Sequence, residues 1–368
     1  MDSPTEQLAR KVAREVLTNT LRVTDGENVT IEAWSESLPW AVPFVVEARR
    51  LGAHPLMLYE DEPAFWEALR TGASRAVGAV GDHEWSALER TDAYVFFFGP
   101  SEWPRYDTLS DRRTEGVTAY NAEWYRRAAK ARVRGARLYL GRTSRLAADR
   151  WEVDLRAWRT ALLRASLASP QKMRQLAKKV ARRLRGGRRA VLTHPNGTEL
   201  EFRFGSYPVQ VDDAVVDEAD LRAGNNVASI PGGAVGVALD HTSGRGSIVG
   251  NHAVYPSSGP ASGIRWSFRR GRLVDHSYAK GGKAFEKEYR AAPSKGRDRL
   301  SYLSVGLNPD LRGCPQLEDQ EEGAVLLRLG GNGFAGGENP SPFGTWTVVT
   351  GANLVIDGRA LLRGGKIV

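Results

Sequence analysis

Asp240-His241 and His252 come nearest, by type and spacing, to a set of reactive side chains. They stand on either side of "TSGRGSIVGN". Folded back as a hairpin, that segment would bring two imidazoles and one carboxylate together, a set able to hold a divalent cation. The competing reading is a polar turn, because no carboxylate besides Asp240 stands at ligand spacing. Of the other histidines, His54 sits at a strand entry and His194 before a turn, and both read as structural or exposed; none follows His276. The chain has no HExxH, no Gly-x-Ser-x-Gly elbow, no phosphate loop and no zinc-binding cysteine pair, since Cys314 is its one cysteine. "GGNGFAGG" from Gly330 looks like a dinucleotide loop, but Pro340 and Pro342 follow where a helix would have to begin. "LEDQEEG", Leu317–Gly323, gathers carboxylates and reads as a solvated turn.

The elements that would position these residues fall into two parts. "ENVTIEAW", "HPLMLYE" and "DAYVFFFG" read as strands, separated by the helical "LPWAVPFVVEARRLGA" and "PAFWEALRTGA". Apolar strands alternating with helices indicate a parallel sheet covered on both faces. Trp151, Leu155, Trp158 and Leu162 form one helical stripe, and Met173, Leu176, Val180 and Leu184 another. From Arg188 the pattern changes. "RRAVLTHPNGTELEFRFG" is a hairpin turning at Asn196-Gly197, and short, glycine-punctuated strands follow, with one helix near Gly282–Ala292. The expected division is an α/β domain over 1–187, with a parallel sheet and two trailing helices, and a mostly-β α+β domain over 188–368.

Composition narrows the functional classes. The 368 residues are 41% apolar and 26% charged, ordinary for a globular protein of two domains. No apolar run is long enough to span a bilayer. No secretory leader is legible at the start, and a lone cysteine fits a reducing, cytoplasmic compartment. The net charge is +9, and from Lys172 to Arg189 nine residues are Lys or Arg and none is acidic. Such a run could meet a polyanion. No aromatic interleaving or reader motif accompanies it, so a solvated helix face is expected and nucleic acid is not.

The order of these pieces resembles the thermophilic aminopeptidase T family of metallopeptidases over nearly the whole chain. The likeness is carried by "LTNTLRVTDGENVTIEAW", "EARRLGAHPLMLYE", "NGTELEFRFG", "NNVASIPGGAV", "GSIVGNHAVYP", "GIRWSFRRGRLVD", "SYLSVGLNPDLRG", "GAVLLRLGGNGF" and the closing "VIDGRALLRGGKIV". The resemblance implies a two-domain dimer whose second domain holds two divalent metals that activate water. It also implies where the metal ligands should stand, and at each place this chain carries something else. Ala234 and Tyr302 stand for two Glu residues, and Leu326 or Leu327 for a His. Phe334 stands for a Tyr, and Gly344, or Thr345 and Thr347, for a closing His-x-Asp. Lowering the pKa of water from about 15.7 toward about 7 needs the metal.

The expectation is therefore a non-catalytic, peptide-binding pseudoenzyme without a cofactor. Its groove, the place of the former metal site, would be lined by Ala234, Tyr302, Leu326, Arg328, Phe334, Thr345, Trp346 and Thr347. It would act as a homodimer, away from membranes, presenting a peptide to a partner enzyme, for instance in peptide natural-product maturation. The competing expectation is an enzyme with a repurposed metal site, hydrolase or dioxygenase-like, around Asp240, His241 and His252. Ring-cleaving iron dioxygenases resemble the same peptidase family, so ligands can be redeployed on this scaffold.

Overall fold

The computed structural model describes residues 4–72 and 79–368. The chain divides into two units. The first takes the chain up to Pro170 together with Ala214–Pro231, and the second takes Gln171–Asp213 and Gly232–Val368. No helix among the described residues is long and apolar enough to cross a membrane.

The first unit is built on β1 (Asn28–Trp34), β2 (His54–Glu60), β3 (Ala93–Phe97), β4 (Arg134–Leu138) and β7 (Val227–Ile230), in the order β2-β1-β3-β4-β7. Every pairing in this sheet is parallel. Ile31, Val95 and Ala136 are fully buried at its centre, as the continuous apolar runs require of a sheet covered on both sides. Phe44 of the helix Leu38–Arg50 meets Phe97 edge-on at 5.7 Å. On the opposite face Trp124 of the helix Asp111–Lys130 meets Tyr94 at 5.1 Å and Phe96 at 5.3 Å.

The second unit is a 12-stranded sheet. Its strands are β5 (Arg189–His194), β6 (Thr198–Asp212), β8 (Ala234–Leu239), β9 (Arg245–Val249), β10 (Arg265–Arg269), β11 (Arg272–Ser277), β12 (Leu300–Gly306), β13 (Val325–Gly330), β14 (Gly344–Val349), β15 (Asn353–Ile356), β16 (Arg359–Arg363) and β17 (Lys366–Ile367). The order β14-β13-β12-β8-β6-β5-β15-β16-β17 is antiparallel throughout, with β9 to β11 branching from β6. The Asn196-Gly197 hairpin forms as read, with Gly197 at φ +96°. The second unit's helix runs Gly282–Ala291. The fold is thus a parallel-sheet α/β unit joined to a large antiparallel-sheet unit.

The observed division departs from a boundary at 187/188 for two physical reasons. The basic helix Pro170–Arg185 buries Ala177, Val180, Ala181 and Leu184 in the core of the second unit, while Lys172, Lys178, Arg182 and Arg185 stay exposed. The segment "VASI" returns to pair with β4 as the fifth strand of the first sheet. The stripe from Trp151 to Leu162 is also not one helix. The helix Arg145–Trp151 ends at Glu152, which is left-handed at φ 57°, and Asp154 caps the next, Leu155–Ala165.

Candidate functional site

All the sequence-predicted groove residues except Phe334 lie on the four adjacent strands β8, β12, β13 and β14. Tyr302 on β12 is opposite Arg328 on β13, which is opposite Trp346 on β14. Residues facing each other across an antiparallel pair project to the same side, so these three share one face. Ser304 and Leu326 continue that face by one register step, and Ala234 and Gly236 contribute small residues from β8. Phe334 comes in from the turn Gly333–Ala335. Its ring lies 5.0 Å from that of Tyr302, and the Arg328 guanidinium carbon sits 5.1 Å from its centre.

Thr345 and Thr347 do not join them. They pair with Leu329 and Leu327 on the core side of the sheet, and both are buried. Trp346 lies between them in sequence and points the other way, because side chains alternate along a strand. Of the eight residues expected to line a groove, Ala234, Tyr302, Leu326, Arg328 and Trp346 share one face of the sheet, and Phe334 packs against it.

The loop carrying Phe334 is held from beneath. Buried Asn332 donates through Nδ2 to Ser301 O and accepts from the Asn339 amide at 2.9 Å in each case. Asn339 Nδ2 reaches Gly296 O and Gly330 O. This leaves Phe334 63% exposed, unusual for a ring of its size, with an aromatic neighbour below it and a cation beside it.

The charges on this face are not those of a solvated surface. The turn Leu317–Gly323, expected to be solvated, is folded inward: Glu318 is 2% exposed and Gln320 6%. Burial pushes the Asp319 carboxyl up to about 6, assisted by Asp212, while the Ser304 hydroxyl, donating to Asp319 at 3.1 Å, works against the rise. Glu318 is pushed up to about 8, chiefly by burial, although its Oε1 accepts from the Tyr255 amide at 2.7 Å. Burial raises the Tyr302 hydroxyl, with Asp319 and Asp212 adding to it and Arg328 opposing. Burial lowers the Arg328 guanidinium, which donates through Nε to Gly331 O at 3.1 Å. The Trp346 indole N–H is enclosed and meets no acceptor. The face thus offers an aromatic cluster, a partly dehydrated guanidinium, an unused N–H donor and, at one side, carboxyls.

The histidine pair is not assembled. The extended strand β9, 5 residues long, lies between His241 and His252, a length of roughly 16 Å at about 3.3 Å per residue. Asp240 is occupied by Arg203 at 2.9 Å and by Thr242, and His252 stands 3.8 Å from Glu321. Among the described residues no three of His, Cys, Asp and Glu gather in a way that would hold a metal ion.

No protein-family model matches the sequence, and no curated protein matches it. Solved structures do match in shape. The wild-type AmpT structure from Thermus thermophilus superposes with a TM-score of 0.70 at 16% identity, over 98% of this chain and 99% of that one. The 2,5-dihydroxypyridine dioxygenase structure from Pseudomonas putida KT2440 superposes with a TM-score of 0.66 at 14% identity, over 100% of this chain and 98% of that one. At such identities the likeness speaks for architecture alone, and the chain has an aminopeptidase T-like fold.

Proposed function

We propose that the protein binds a peptide without cleaving it, using the face around Tyr302, Arg328, Phe334 and Trp346, and presents it to a partner enzyme. The observation that supports this reading is the packing of Arg328 and Tyr302 against the exposed Phe334 ring. Where the resemblance to metallopeptidases would put metal ligands, this face carries Ala234, Tyr302, Leu326 and Phe334. A guanidinium with a ring beside it suits a peptide carboxylate or a side-chain ring. The Asp319 and Asp212 carboxyls at the side suit a peptide amine. Peptide natural-product maturation is a setting in which such a binder serves a tailoring enzyme. A homodimer belongs to the same proposal, and sedimentation tests it.

Peptides co-purifying with the protein from its host, identified by mass spectrometry and resynthesised, are the probes. Saturable binding that weakens about tenfold in Phe334→Ala and in Arg328→Gln is expected, with the peptide recovered intact. Cleavage of amino-terminal residues, or a stoichiometric Zn, Mn or Fe retained through purification, would overturn it.

A further inference from the structure

A second place in the molecule, in the first unit, is shaped for a ligand. From β1 the chain crosses to β2 on one side, then returns to β3 on the other side and continues outward to β4. Where a parallel sheet reverses its winding, the connections part and leave a crevice at the carboxyl ends of the strands. A cavity of ≈ 580 Å³ lies there, reached by Glu32 and Trp34 of β1, Phe96 of β3 and Arg137 of β4. That size suits a small organic ligand. Its far wall is one face of the helix Asp111–Lys130, where Val117, Tyr120, Asn121 and Trp124 recur at helical spacing.

The sheet leaves one row open to this cavity. Glu32 pairs with Phe96, and Phe96 with Arg137. Each is the partly exposed position in a strand otherwise buried over its last residues. Adjacent strands lie about 4.8 Å apart, so the Glu32 and Arg137 backbones are separated by about 10 Å with the Phe96 ring between them. A row serving packing alone would be aliphatic, because burying an acid and a guanidinium that do not pair with each other costs stability.

The two ends differ in sign. At one end the Tyr94 hydroxyl donates to Glu32 at 2.7 Å, and Glu60 and Glu84 stand close enough to oppose its ionisation. Burial is the main cause that pushes Glu32 up to about 7. Tyr120, from the helix wall, donates to Glu84 at 2.8 Å. At the other end Arg137 donates to Ser229 Oγ at 3.1 Å. Arg142 lies 4.4 Å over Phe98, its Nε is enclosed without a hydrogen-bond partner, and the groups that shape its acidity besides burial are Tyr139, Tyr106 and Arg137, none of them a carboxylate. A phosphorylated nucleotide does not suit the cavity. The turn after β1 is Ser35-Glu36-Ser37, with no glycine to admit phosphate, and Glu32 would repel it.

We propose that this cavity binds a small amphoteric aromatic molecule, its basic nitrogen at Glu32, its carboxylate at Arg137 and Arg142, and its ring against the Phe96 and Trp124 rings that line the wall. The ammonium restores a counter-charge to the acidic end, and the carboxylate takes the unused Arg142 N–H.

Titrations with 4-(aminomethyl)benzoate, benzoate and benzylamine test this, followed by calorimetry and by the fluorescence of the cavity tryptophans. The doubly charged probe should saturate one site per chain and bind at least about tenfold tighter than either singly charged analogue. Glu32→Gln should weaken the doubly charged probe and benzylamine and spare benzoate. Arg142→Met should weaken the doubly charged probe and benzoate and spare benzylamine, with Arg142→Lys restoring part of the loss. Phe334→Ala, which disables the face in the second unit, should leave all three unchanged. Thermal unfolding of each variant verifies its fold. No saturable binding by any probe, tighter binding of a singly charged analogue, or affinities indifferent to both Glu32→Gln and Arg142→Met would overturn the proposal.

Discussion

The Tyr302 hydroxyl occupies the space that a side chain on Gly236 would need. A Cβ at Gly236 would collide with Tyr302 Oη and Cζ and press on Leu303 O. The two strands can be neighbours only because one residue has no side chain where the other has a large one. Gly236→Ala should drive the Tyr302 ring from its place beside Phe334 and cost about 1–3 kcal/mol, the usual range for an overfilled site. Urea unfolding measures it. A midpoint equal to wild type would show that the ring is free to move aside.

Phe334→Ala should separate stability from binding. The ring is 63% exposed, so its loss should change the unfolding free energy by no more than about 0.5 kcal/mol. Peptide affinity should fall far more than stability. A matching loss in both would mean that the ring is a packing residue.

Asn332→Ala should behave in the opposite way. It removes the acceptor of the Asn339 amide and the donor to Ser301 O, both buried. An unsatisfied buried polar group costs about 1–3 kcal/mol. The turn bearing Phe334 should loosen, with faster amide exchange at Gly333–Ala335 as the local readout.

Stability should fall as pH rises from about 5 to 8. Glu318 holds its proton in the folded state up to about 8, whereas the unfolded chain releases it near 4.5. In that window the native state binds the extra proton, so its contribution is full at the acid end and lost with rising pH. The groups facing Glu318 are Asp319 and the amides of Tyr255 and Gln316. Asp319, pushed up to about 6, and Glu32, up to about 7 in the other unit, act in the same direction. Glu318→Gln should flatten the slope by up to about 1.4 kcal/mol per pH unit, leaving the variant more stable than wild type at pH 8. An unchanged slope would mean that Glu318 is ionised in the folded protein.

Much of the architecture is written locally. Alternating helices and apolar strands specify the first sheet, and Asn196-Gly197 specifies its hairpin. What escapes a sequence reading is decided by distant partners. "VASI" is a short apolar run whose neighbour, β4, lies about ninety residues earlier, and nothing local directs it there. The stripe of Pro170–Arg185 shows that a face is buried but not against which sheet. The placement of the residues named for the groove was legible in part. Period-two alternation alone separates Trp346 from Thr345 and Thr347, and reading them as one cluster ignores it. The row of Glu32, Phe96 and Arg137 is harder to find, because each is a single residue in a separate strand. The only local signal is an acid or a guanidinium near the carboxyl end of an otherwise apolar run.

The return of β7 to the first sheet has a consequence for synthesis on the ribosome. When Pro170 emerges, β4 still presents an open edge of amides and carbonyls, since its partner Val227–Ile230 is not yet made. Until then the nascent chain carries an adhesive border of the kind that recruits foreign strands. A gene fragment cut at 170 or at 187 would make that exposure permanent, so the N-terminal half should be obtained soluble only when Ala214–Pro231 is supplied with it.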